Sequence, residues 1–89
     1  MSRSITFSQN AWEDYLYWQM QDKRTLRRIN QLLKDIQRSS FEGLGKPEPL
    51  KGDKSRLWGR RIDDTNRILY RVTDATIEIV QCRSPYGDK

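Results

Sequence analysis

Glu48 stands between Pro47 and Pro49 in the stretch FEGLGKPEPLKGD, residues 41–53, with Lys46 and Lys51 close by. That stretch holds three of the five glycines and two of the three prolines in the chain. Both prolines restrict their own φ, and Glu48, itself a pre-proline residue, is held extended on both sides. The second half of the chain is rich in arginine: Arg56, Arg60, Arg61, Arg67, Arg71 and Arg83. A carboxylate among cations can take the proton from a ribose 2′-hydroxyl. Arginines can then stabilise charge on a phosphorane-like transition state. Arginine is also the side chain best shaped for bidentate phosphate recognition. The competing reading of Glu48 is a surface ion pair with Lys46 or Lys51, and nothing in the composition singles out RNA cleavage. The chain contains no histidine, so any catalytic scheme must work without the commonest general acid and base.

The elements that must position these residues are readable from the pattern. RSITF (3–7) alternates as a short strand. Ser8 then caps a helix over SQNAWEDYLYWQMQ, with Phe7 and Trp12 at the two positions of a hydrophobic staple. Trp12, Tyr15, Leu16 and Met20 share one face and read as core, in preference to a base-stacking surface. Asp22 caps a second helix, KRTLRRINQLLKDIQRS, in which Leu26, Ile29, Leu33 and Ile36 recur at helical spacing and Leu32 widens the stripe. Its basic face, Lys23, Arg24, Arg27, Arg28, Lys34 and Arg38, is either solvated or open to RNA or an acidic partner.

Three further strands follow the 41–53 loop: 57–63, 67–74 and 76–83, joined by turn chemistry at Asp63-Asp64-Thr65-Asn66 and near Asp74-Ala75. Short turns between sequential strands make an antiparallel meander. The expected architecture is α+β, with two helices on one face of an antiparallel sheet. Arg67 and Arg71 fall on one side of their strand with Leu69 between them, while Ile68, Tyr70 and Val72 point to the core. The face away from the helices is then lined with arginine. A merely solvated face explains this less well, because like charges on neighbouring strands repel.

At 89 residues the chain is one domain with a thin core. A net charge of +5 fits a polyanionic partner but also ordinary solubility. Cys82 is the single cysteine, which leaves no intrachain disulfide and no zinc site. No segment reads as a secretory leader or a membrane span, so the expectation is a cytoplasmic protein without cofactor or metal.

The blocks WEDYLYWQMQDKR (12–24), FEGLGKPEPLKGD (41–53), LWGRRID (57–63), NRILYRV (66–72) and QCR (81–83) resemble the YoeB family of toxin–antitoxin toxins, within the wider RelE-like ribonucleases. The resemblance runs from the first strand to Arg83. It implies a microbial-ribonuclease α+β fold, an mRNA interferase cutting in the ribosomal A site, a homodimer, and neutralisation by a Phd/YefM-type antitoxin. By the same resemblance Glu48 is the general base. Arg67 stabilises the phosphate, Lys51 and Arg61 are basic contributors to the site, and Arg83 is retained. Arg60 and Lys46 are counted with the substrate-binding cations.

The chain departs from the family at its C-terminus. Where the family ends in a cysteine, a basic residue, a variable residue and His-Tyr, this chain reads Cys82-Arg83-Ser84-Pro85-Tyr86. Proline cannot transfer a proton. Tyr86 or a lysine then takes the role of acid, or the protein is a weakened homologue that binds ribosome or antitoxin without cutting. No helix-turn-helix signal is present, so operator DNA is expected to be reached only through an antitoxin complex.

Overall fold

The computed structural model describes residues 3–51 and 56–83. Its elements are β1 (Ser4–Phe7), α1 (Gln9–Gln21), α2 (Lys23–Arg38), β2 (Glu48–Pro49), β3 (Trp58–Arg61), β4 (Arg67–Val72) and β5 (Thr76–Gln81). The five strands form one sheet in the order β1-β5-β4-β3-β2. The β2–β3–β4–β5 pairs are antiparallel and β1 lies parallel to β5. The sheet is therefore mixed rather than wholly antiparallel: the two helices carry the chain back so that β1 and β5 run the same way.

Local chemistry sets the helix starts as the pattern implies. The Ser8 hydroxyl accepts the Ala11 N–H at 3.0 Å, and the Phe7 and Trp12 rings meet edge to face with centroids 6.0 Å apart. The Asp22 carboxylate accepts the N–H groups of Arg24 and Thr25 and so caps α2. The strands stop earlier than their hydrophobic runs because side chains capture the flanking backbone. Asp63 accepts the N–H groups of Thr65 and Asn66 after β3. Thr73 accepts the N–H of Thr76 after β4.

The core lies between the helices and one sheet face. It joins Ile29, Leu32, Leu33 and Ile36 of α2 to Ile68, Tyr70, Ile77 and Ile79. On α1 the buried residues are Ala11, Asp14 and Trp18. Trp12, Leu16 and Met20, expected in the core, are exposed, Met20 at 81%. Two long-range hydrogen bonds turn the helix this way. The Trp18 indole donates to the Cys82 carbonyl at 2.8 Å, and Asp14 accepts the Cys82 N–H at 3.1 Å. Leaving those buried polar groups unpaired would cost about 1–3 kcal/mol each. Trp12, though exposed, keeps a stacked contact with Tyr15 at 6.0 Å.

Candidate functional site

The strand register aligns residues across the face of the sheet away from the helices. Glu48 pairs with Gly59, Gly59 with Leu69, and Leu69 with Gln81. Directly paired residues point to the same side, so this row runs from the sheet edge to β5. A β-bulge makes its last step possible: the register passes from Leu69↔Gln81 to Tyr70↔Ile79, leaving Val80 as the extra residue. Without that insertion Gln81 would follow Ile77 and Ile79 into the core. Leu69 and Gln81 are nearly inaccessible nonetheless. A side chain at Gly59 would meet Leu69 Cδ2 at 3.2 Å and Leu50 Cδ2 at 3.7 Å, so leucines close over the glycine.

Beside this row lies a row of cations. Arg61 pairs directly with Arg67, and Lys46 lies in the loop that leads into β2. The Arg61 N–H donates to the Gly45 carbonyl at 2.6 Å, which ties the loop to β3 at that point. Lys46 adopts φ 53°, a left-handed conformation unusual for a residue with a side chain. Glu48, Lys46 and Arg61 are exposed and Arg67 is partly so. Arg67 Nη1 donates to the carbonyls of Asp63 at 2.7 Å and Asn66 at 3.1 Å, orienting it along the β3–β4 turn. In that turn burial of the Asp63 carboxyl is outweighed by hydrogen bonds from Asn66 and Thr65, and its pKa is lowered. Arg71, on the same face, is bridged to its cross-strand partner Glu78 at 3.2 Å.

Two other cations of the expected set are also exposed. Lys51 is exposed, just beyond β2. The Arg83 guanidinium stacks on the Tyr17 ring of α1, 3.7 Å from its centroid. Tyr86 and Pro85 lie outside the described residues.

Arg60 requires a correction. Counted among the substrate-binding cations, it is wholly inaccessible, on the core side of β3. Its five N–H donors all find partners. Nε donates to Tyr70 Oη at 3.1 Å. Nη1 donates to Asp35 Oδ2 at 2.5 Å and the Leu44 carbonyl at 3.1 Å. Nη2 donates to the carbonyls of Ser39 at 2.5 Å and Glu42 at 2.9 Å. Strand alternation explains the difference from Arg61: adjacent residues face opposite ways.

Asp35 is the counter-ion, and sequence reasoning missed it. It is buried, also pairs with Arg38, and accepts the Leu44 N–H at 2.9 Å. That backbone bond, acting against burial and helped by Arg60 and Arg38, holds its pKa at about 2. Burial raises the Tyr70 pKa against the opposing Arg60 hydrogen bond. The available signal was an acid beside Ile36 on the apolar stripe of an otherwise basic helix.

Among the described residues no group of His, Cys, Asp and Glu is arranged to hold a metal ion, and no helix is long and apolar enough to cross a membrane. On the helical side a cavity of about 530 Å³ is lined by Arg28, Gln31, Lys34, Asp35, Arg38 and Leu44. It lies across the sheet from Glu48 and is separate from the row of cations.

Comparison with known proteins gives this arrangement its context. A model of the family described as YoeB-like toxin of bacterial type II toxin-antitoxin system matches residues 7–86. The toxin YoeB of Streptomyces coelicolor is 54% identical over 82 residues, covering 92% of this chain and 98% of the relative. The YoeB dimer from Staphylococcus aureus superposes with a TM-score of 0.89 at 44% identity, covering 97% of this chain and 100% of that one. A heterotetrameric YoeB–YefM toxin–antitoxin complex from the same organism gives 0.87 at 44% identity, with the same coverage. The chain thus belongs to the YoeB-like toxins of bacterial type II toxin–antitoxin systems.

Proposed function

We propose that the protein is a ribosome-dependent mRNA endoribonuclease that acts in the cytoplasm and inhibits translation by cutting in the A site. Glu48 removes the proton of a ribose 2′-hydroxyl, whose oxygen attacks the adjacent phosphorus. The P–O5′ bond breaks, leaving a 2′,3′-cyclic phosphate and a 5′-hydroxyl. Arg67 and Arg61 stabilise the negative charge that builds on the phosphoryl oxygens. Lys46, Lys51 and Arg83 bind the flanking backbone, and Tyr86 positions the leaving group or supplies its proton. The observation that carries the reading is the exposed Glu48 on β2, whose partner Gly59 lies two residues from Arg61, itself paired with Arg67. No cofactor enters the scheme.

The same cationic face fits an acidic segment of a YefM-type antitoxin, and a heterotetrameric complex of that kind is found for the Staphylococcus aureus relative. Occupation of this face by antitoxin would exclude RNA, and such steering should weaken with salt. A homodimer is proposed by analogy with the dimeric relative, and operator binding through the antitoxin complex.

The test is to map mRNA 5′ ends after brief expression, comparing the parent with Glu48→Gln. The substitution keeps the shape and removes the basicity. Cleavage should fall by about 10²–10⁴, the range of a general base, with ribosome binding and fold retained. Parent-level cleavage by the variant would sink the assignment.

A second reading is a non-cleaving binder of ribosome or antitoxin, favoured by Pro85 at the family's histidine position. Pro85→His should raise single-turnover cleavage by about tenfold or more if only the acid is missing. If Tyr86→Phe abolishes residual cleavage, tyrosine already fills that role. Absence of cleavage in the parent and in the Pro85→His protein alike would favour the binder.

A further inference from the structure

We propose that Arg60 is a positioning residue for Glu48, acting through the loop that joins α2 to β2. The inference rests on the nuclease reading of Glu48 and assigns to Arg60 a role distinct from substrate contact.

The loop has little regular structure of its own. Instead its carbonyls converge on the inner face of β3. Ser39, Glu42 and Leu44 each give a carbonyl to the Arg60 guanidinium. The Ser40 carbonyl accepts from Tyr70 Oη at 2.7 Å, and the same hydroxyl oxygen accepts from Arg60 Nε. The Leu44 N–H closes the circuit on Asp35. Phe41 packs on Trp58 with centroids 4.8 Å apart. Gly43, at φ 119°, passes so close that an added Cβ would lie 2.2 Å from Asp35 Oδ2. Residues 39–44 are thereby referenced to one buried cation and its counter-ion.

This clamp ends at Leu44, and the Gly45 carbonyl is then fixed by the Arg61 N–H. Only Lys46 and Pro47 separate that point from Glu48. The proline ring locks φ at 47, and Pro49 restricts Glu48. Few soft torsions remain to absorb a displacement, so the loop's position is passed on to the carboxylate. The need is real, because β2 spans only two residues, and so short a pairing is marginal by itself. A buried ion pair is a poor device for stability alone, since well-packed apolar residues serve as well. Arginine supplies five donors in a fixed plane, whereas lysine has three on one atom and cannot reproduce the pattern.

The experiment compares Arg60→Lys and Tyr70→Phe, each alone and combined with Glu48→Gln, in single-turnover cleavage of ribosome-bound mRNA. Amide hydrogen exchange on the same proteins reports the loop. Arg60→Lys should lower the maximal rate by about 10²-fold, the cost of a misplacement near 1 Å, with the half-saturating ribosome concentration unchanged. Tyr70→Phe should give a smaller loss in the same direction. In the Glu48→Gln background each should add less than about twofold, because residues acting as a unit are non-additive. Protection should fall at the Leu44 and Arg61 amides and persist in β4 and β5.

Equal losses with and without Glu48 would overturn the proposal, as would a full rate with a loosened loop. If Arg60→Lys does not fold, Tyr70→Phe carries the same comparison. If the parent itself does not cleave, the nuclease reading is what fails. Loop-confined loss of protection then still supports the clamp, and unchanged protection overturns it.

Discussion

Arg60 and Arg61 are the same residue type at adjacent positions, and the fold gives them opposite surroundings. The inner surface of β3 dehydrates Arg60 completely and surrounds it with a carboxylate, three carbonyls and a tyrosine hydroxyl. The outer surface leaves Arg61 in water, directly across from another arginine. A buried charge must have all its partners, because water cannot replace any of them. An exposed charge next to a like charge is a small liability until an anion arrives, and that liability becomes binding energy when a phosphate bridges the two. The inner arginine therefore organises the chain and the outer one remains available to a ligand.

The largest expected effect breaks the inner surface. Asp35→Ala strands the Arg60 charge and should lower the unfolding free energy by about 3–5 kcal/mol, the usual cost of orphaning a buried ion. Urea denaturation at neutral pH measures it. A loss under about 1 kcal/mol would mean that Arg60 finds water or another partner, and the contrast with Arg61 would collapse.

Arg61→Ala probes the outer surface and should have the opposite profile. Removing one of two facing cations relieves repulsion, so stability should hold or rise slightly. Cleavage should fall by about 10²-fold, as when one electrostatic stabiliser of a transition state is lost. A variant that unfolds more readily while cutting normally would reverse the roles assigned to the two faces.

Acid sharpens the comparison with a smaller, graded effect. The Asp35 carboxyl is held at about 2 in the folded protein against an ordinary value of 3.8. The unfolded chain therefore binds this proton first. The stability that Asp35 contributes is complete above pH 3.8 and is lost as pH falls from there toward about 2. Denaturant midpoints measured from pH 5 to pH 2 should fall through that window, and Asp35→Asn should remove this component of the slope. A midpoint loss centred well above pH 4 would point to another group.

How much of this was legible without coordinates differs between the two helices. In α2 the apolar stripe is unambiguous, and Ile29, Leu32, Leu33 and Ile36 are buried as the spacing requires. In α1 apolar and aromatic residues surround the axis, and periodicity pointed to the face of Trp12, Leu16 and Met20, which is exposed. The choice was made by Cys82, whose backbone binds Asp14 and Trp18 from 68 and 64 residues away. The loop shows the same division. Its prolines marked it as stiff, and its resemblance to the family marked Glu48. The carbonyls that converge on Arg60 carry no sequence signal, because any residue type supplies one.

By itself the sequence determined the helix caps, the apolar stripe of α2, the antiparallel meander of β3, β4 and β5 and, through the parity of Arg67 and Arg71, a cationic face opposite the core. These follow from local sterics and short-range hydrogen bonding, which act between residues a few positions apart. Tertiary structure decided which arginine of the Arg60-Arg61 pair meets solvent, which face of α1 is buried, and that β1 runs parallel to β5. Each of these depends on partners distant in the chain. A buried polar group accepts only a fold that brings those partners within hydrogen-bonding reach.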